Sequence, residues 1–462
     1  MLLNIEKLIY GGDGLARLPA DARGNDRGKG KAVFVPFVLA GEKIEATLTE
    51  EKSGFARAQA SAIVQPSPQR VSAPCSHFGR CGGCHYQHTT YQHQLEIKKD
   101  ILLENLRRIA KLELQCEIEI HPSPPWNYRN RSRLQVRTSP AFAAGYFKFA
   151  SHELFPVEEC PISSPLINRG IAALWKSGRA GRAVDGVREV EFFSGSDSEG
   201  NETKLLLEFL CAREARRAAV RTWAEELCAA MPEIAGVAAF REPQKGVQEP
   251  LVTVGASELT YQTKDAAYRV SAGSFFQTNR FMIDQLVRIV TSGCSGELVL
   301  DLYAGVGLFS TALARSIGHI VSVESSQTAA KDLQYNLPVN AKAVHAATEH
   351  YLAGLGVKGR AGPGAQSGAV QHGAVGEGAF LPHLFQPDVV VVDPPRGGLG
   401  DRVARLLAGA GAPRLTYVSC DPATLARDLV PLQSAGYRVA QAHLIDLFPQ
   451  TYHLESVLHL VR

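Results

Sequence analysis

The sequence predicts a multidomain α/β protein: a small OB-like N-terminal β-barrel, a β-rich centre, and a C-terminal Rossmann-like domain. Three observations carry this. The 462 residues exceed one ordinary domain. Short β-branched runs broken by glycines fill the first 66 residues, with boundaries at 1–66, 67–262 and 263–462. In the last third, continuous apolar runs alternate with helical spacing, as in a parallel sheet covered on both faces.

Composition is that of a soluble globular chain, with 45% hydrophobic and 21% charged residues. The start lacks a basic front and an apolar run, and no stretch is long enough to span a bilayer. A cytoplasmic protein with no membrane partner is the expectation. The net charge of +3 permits an anionic partner without requiring one.

In the N-terminal segment, Gly11, Gly12 and Gly14 mark the first turn. Ala32 to Val35 is a strand ended by Pro36, and Lys43 to Thr49 alternates polar and apolar residues. Residues 66–74 form a linker before Cys75, Cys81 and Cys84. Nine cysteines in so long a chain argue against a disulfide scaffold, and three within ten residues suggest a metal site. Leu95, Leu102, Leu106 and Ile109 give residues 91–112 helical spacing; that helix is expected to pack on the C-terminal domain. Strands dominate from 117 to 260, interrupted by the helix EARRAAVRTWAEELCAAM.

Four buried strands follow: Leu298–Leu302, Ile320–Glu324, Asp388–Asp393 and Leu415–Ser419. Residues 357 to about 380, rich in glycine and alanine, read as a flexible insertion or as a lid over substrate.

The first of these strands runs into Asp301-Leu-Tyr-Ala-Gly305-Val-Gly307, a glycine turn that lets backbone approach a ligand. Glu324, ending the next strand, could accept both hydroxyls of a ribose. Ser310 stands where a dinucleotide site has its third glycine, which favours S-adenosylmethionine over a nicotinamide. Asp393-Pro394-Pro395-Arg396 is a stiff loop at a strand end, where ligands bind in this architecture. Cys420, in Ser419-Cys420-Asp421-Pro422, stands on the same edge. A thiolate there could add to carbon 6 of a uracil and make carbon 5 nucleophilic. A base must then take the carbon 5 proton, and His453 and Glu455 are both available.

Taken together, SAGSFFQTN, DLYAGVGLF, VVVDPPRGGL, YVSCDPATLARDL and DLFPQTYHLESV resemble, in order, the motifs of the RNA uracil-5-methyltransferase family. The resemblance implies a class I methyltransferase domain using S-adenosylmethionine. It makes Cys420 the nucleophile and Glu455 the base, and it assigns cofactor contacts to Gln277, Tyr303, Gly305, Gly307, Glu324 and Asp393. Phe275 corresponds to an aromatic residue beside the target base. The first 66 residues look like a TRAM domain. Cys75, Cys81 and Cys84 with Cys160 match the subgroup carrying a 4Fe-4S cluster, although spacing by itself also allows structural zinc.

In that context Arg129, Arg131 and Arg133 are two apart and would share one strand face toward RNA. Arg23, Arg27, Lys29 and Lys31 could track a backbone. The expected partner is RNA, 23S rRNA first and tRNA as the alternative, bound by a monomer.

Overall fold

The computed structural model describes residues 1–18, 30–244, 247–358 and 386–462. Arg23, Arg27 and Lys29 lie outside the described residues, as does the glycine-alanine insertion apart from its first two positions.

The N-terminal unit is a six-stranded sheet around one small core, which includes Leu3, Val33, Val35, Ile44 and Ala56. Its longest strand, Phe55–Gln65, pairs antiparallel with Lys43–Glu51. Alternate burial along both strands follows from the period-two pattern of side chains.

The C-terminal sheet has eight strands. In spatial order they are Ala341–His345, His319–Glu324, Leu298–Leu302, Val389–Val392, Arg414–Ser419, Glu455–Val461, Arg438–Ile445 and Ile118–His121. Glu455–Val461 runs antiparallel to both neighbours, and the other pairings are parallel. Leu298–Leu302 and Val389–Val392 are buried throughout, because helices cover both faces.

Domain boundaries in space differ from those in sequence. The strand Ile118–His121 completes the C-terminal sheet, although it lies within the central segment. Ala267–Ser271, placed by sequence in the last domain, instead pairs with Glu258–Gln262 in the nine-stranded central sheet. The helix Tyr91–Ile109 sits with Thr90 as its N-cap and buries Ile101, Leu102 and Leu106 in the core shared with Leu425 and Leu429. Among the described residues no helix is long and apolar enough to cross a membrane.

Candidate active site

Parallel strands deliver their carboxyl ends to one edge of a sheet, and a neighbouring antiparallel strand brings its beginning there. Cys420 follows Ser419, Glu455 precedes Ser456, and Ser419 pairs with Ser456. The thiol and the carboxyl therefore face each other across adjacent strands. Asp393 leaves Val392 on the same edge, and Tyr303 follows Leu302.

The turn after Leu302 is held in the left-handed region at Tyr303 (φ 63°), Gly305 (φ 56°) and Gly307 (φ 95°). Gly305 has no protein atom within 4 Å of where a Cβ would stand, so its backbone borders open space. Glu324 orients this turn: its Oε2 accepts from Gly305 N at 2.9 Å and its Oε1 from Ser326 N at 2.6 Å. The Ser310 hydroxyl donates to buried Asp301, and Ser322 donates to Ser310 at 2.7 Å. Serine at that position thus serves a buried carboxyl. Gln277 reaches the same edge, with Nε2 3.5 Å from Asp393 Oδ2.

Carboxyl groups crowd the site. Burial pushes Asp301 up to about 7, and burial together with the Asp301 charge pushes Asp393 up to about 7. Burial and then Asp393 raise Glu455 well above the ordinary carboxyl range, against the pull of Arg396. The Cys420 thiol is pushed up to about 12, by burial first and then by Glu455 and Asp393. Arg396 opposes both shifts. Its Nη2 lies 3.4 Å from His453 Nδ1, and burial plus that cation drive the His453 imidazole far below its ordinary range.

Phe275 is 61% exposed beside the site, while its neighbour Ser274 is anchored on buried Asp332 at 2.7 Å.

The family model described as tRNA (uracil-5-)-methyltransferase matches residues 90–349 and 380–462. The chain belongs to this family. A TRAM domain model matches residues 1–61. An uncharacterised RNA methyltransferase of Aquifex aeolicus (strain VF5) is 32% identical over 98% of this chain and 97% of its own. A second, from Streptomyces avermitilis, is 31% identical over 93% of this chain and 92% of its own. In architecture this uracil-5-methyltransferase is similar to the crystal structure of the Pyrococcus abyssi tRNA (uracil-54, C5)-methyltransferase in complex with S-adenosyl-L-homocysteine. The TM-score is 0.70 at 24% identity, covering all of both chains.

The arginines differ from the sequence expectation. In this RNA methyltransferase two of the three, Arg131 and Arg133, lie on the strand Arg131–Arg137. Arg131 pairs with Glu191 and, at 3.0 Å, with Glu208, and its Nη1 donates to Ser274 O at 2.7 Å. It offers no free charge to a phosphate; it holds the backbone next to Phe275. Arg133 is more exposed but pairs with Glu191 at 2.6 Å. Arg129 precedes the strand and makes backbone bridges to Ser163 and Asn279. The acidic partners are far off in sequence, at 189–208, so the one-face pattern could not reveal them.

Cys75, Cys81, Cys84 and Cys160 line a single cavity of about 60 Å³ together with Arg129. Burial pushes the Cys81 thiol up to about 11 and that of Cys84 up to about 12, and the other cysteines add to both.

Two features were not legible in the sequence. Tyr10 of the TRAM domain donates to Cys420 O at 3.1 Å. A groove of about 1240 Å³ between the TRAM domain and the cysteine region is lined by Phe34, Arg57, Arg80, Lys148 and Phe149. Both depend on how two domains dock.

Proposed function

We propose that this family member transfers a methyl group from S-adenosylmethionine to carbon 5 of a uridine, through a covalent bond from Cys420 to carbon 6. The observation carrying this is the register that sets Cys420 against Glu455 on the sheet edge holding the Gly305 turn. The donor, when bound, supplies a methyl on a positively charged sulfur. The open Cβ position at Gly305, the carboxyl of Glu324 and the Gln277–Asp393 pair suit such a ligand.

Cys420, having given its proton to solvent, adds as the thiolate through Sγ to carbon 6 of uracil, which places electron density on carbon 5. Once carbon 5 has taken the methyl, Glu455 removes its proton, the carbon–sulfur bond breaks, and the thiolate returns. Glu455 suits the base role better than His453. A raised carboxyl is a stronger base once ionised, whereas the depressed imidazole is a weak one. Carbon 5 is blocked in a stacked helix, so the uridine must be flipped, and the exposed ring of Phe275 is the stacking partner we propose for it. Aromatic and basic residues interleave along the interdomain groove, as a single-stranded RNA track requires. The RNA we propose is 23S rRNA.

We further propose a 4Fe-4S cluster on Cys75, Cys81, Cys84 and Cys160. Four thiols on one cavity fit either a cluster or zinc. Tetrahedral zinc would need sulfurs about 3.8 Å apart. Among the described residues no three of these sulfurs come within 4.8 Å of one another, so zinc would require them to draw closer; the cluster reading rests on the family resemblance of the four positions.

An RNA carrying 5-fluorouridine tests the mechanism, because no proton can leave carbon 5. A stable adduct is expected with the wild type and none with Cys420→Ser; an adduct that persists in Cys420→Ser refutes the assignment. Labelled methyl transfer to 23S rRNA and tRNA transcripts decides the substrate.

A further inference from the structure

Away from the thiol, carboxylate and cysteine sites, a fourth group of ligating side chains stands where the strand Ile118–His121 joins the catalytic sheet. Its register with Arg438–Ile445 sets Glu119 directly beside His443, and His121 beside Ile445. His121 Nε2 is 3.1 Å from His443 Nδ1 and 3.7 Å from Glu119 Oε1. His443 Nδ1 is 3.4 Å from Glu119 Oε2. Among the described residues this is the one set of three histidine, cysteine or carboxylate groups whose ligand atoms all lie within 4.8 Å of one another.

From this geometry we infer a binding site for a first-row transition-metal dication of the zinc type, held by Glu119, His121 and His443. Bonds of about 2.0–2.1 Å in tetrahedral geometry put ligand atoms about 3.3 Å apart; the two imidazole nitrogens stand near that spacing, and the exposed carboxylate, which meets each ring through a different oxygen, needs a small rotation to present one oxygen to both. Two imidazoles and one carboxylate are a donor set for zinc, nickel or copper rather than calcium or magnesium. Glu119 is 67% exposed and both imidazoles are largely covered, so the fourth position faces water.

The outer ring of contacts is in place. Gln285 Nε2 lies 2.8 Å from His121 Nδ1 and donates to it; metal binding through His121 Nε2 requires the amide to turn over, so that its oxygen accepts from Nδ1–H. His443 Nε2 is buried with no partner, and the ring packs edge-on to His459 at 5.5 Å. Arg288, near His121, is the unfavourable charge. Without a metal, a chain of hydrogen bonds from Gln285 through His121 to His443 satisfies the same atoms, so binding must be measured. A bound ion would clasp the edge strand to the strand leading into the loop before Glu455.

Titrating the full-length chain with Co²⁺ tests this. The expected result, with the cysteine cavity already occupied by its own group, is saturable binding with visible d–d absorption of a tetrahedral nitrogen and oxygen site. Glu119→Gln, at an exposed position, should weaken binding at least tenfold, and His443→Asn should abolish it. No saturable binding with nitrogen and oxygen d–d bands, or an isotherm for those bands unchanged in both variants, overturns the proposal.

Discussion

The environment of Cys420 predicts how the thiol reacts in the free protein. A thiol pushed from 9.0 up to about 12 holds, at pH 8, about a thousandth of the thiolate of an ordinary cysteine. A more basic thiolate is also more nucleophilic, by about twentyfold over such a gap, so alkylation should be roughly 10–100-fold slower than for a free cysteine. The assay is iodoacetamide labelling from pH 7 to 10, with the Cys420 peptide quantified by mass spectrometry. Slope matters more than rate, because partial burial also slows access. The rate should climb about tenfold per pH unit across the whole range, whereas a free cysteine flattens beyond pH 9. Glu455 is the second cause of the shift, so Glu455→Gln should move the profile to lower pH once the wild-type carboxyl would have ionised. A Cys420 profile that flattens near pH 9, or one unmoved by Glu455→Gln, refutes the reasoning.

Glu455→Gln should leave the fluorouridine adduct intact but slow turnover on normal uridine by about 10²–10⁴, read in single-turnover assays. Gly305→Ala meets no protein atom but strains a left-handed backbone by about 1–2 kcal/mol, little enough for the chain to fold, and should weaken S-adenosyl-L-homocysteine binding at least tenfold by calorimetry. Lys98→Met strands buried Asp446, its 2.6 Å partner, and should cost about 3–5 kcal/mol in denaturant unfolding. Adding Asp446→Leu should restore much of that.

The parallel sheet was readable because strands buried on both faces are apolar without interruption, as in Val389–Val392. The N-terminal strand Ala32–Val35 was readable from its β-branched residues and the proline that ends it. Ala341–His345 carries no such signal, because as an edge strand it is at most half buried and includes the exposed Lys342. The strand Ile118–His121 gave no sign of its destination, since joining a sheet 300 residues later is a tertiary event. In the site, strand ends announce themselves by glycine, proline and acidic residues, which made Gly305, Glu324 and Asp393 visible. Arg131 misled because an arginine on an alternating strand looks the same whether it faces phosphate or Glu191.

The carboxyl proposed as the base does not belong to the methyltransferase domain alone. The loop from Asp446 to His453, which delivers Glu455, is fixed from the N-terminal half of the chain. Lys98 Nζ donates to Asp446 and, at 3.0 Å, to Phe448 O. Gln94 exchanges two hydrogen bonds of 3.0 Å with Gln450. His85 N and Tyr86 N both donate to Gln450 O, and Asp446 N donates to His121 O. Gln450 itself sits at φ 68°, a conformation such contacts must sustain. Four of these donors lie between residues 85 and 98, directly after the cysteine region, so order around the cysteines reaches the base through backbone and a buried helix. A fragment spanning only 263–462 would keep Cys420 and the cofactor turn but lose every one of these ties. It should bind S-adenosyl-L-homocysteine while failing to release methylated product. Full turnover by such a fragment would show that the loop needs no outside support.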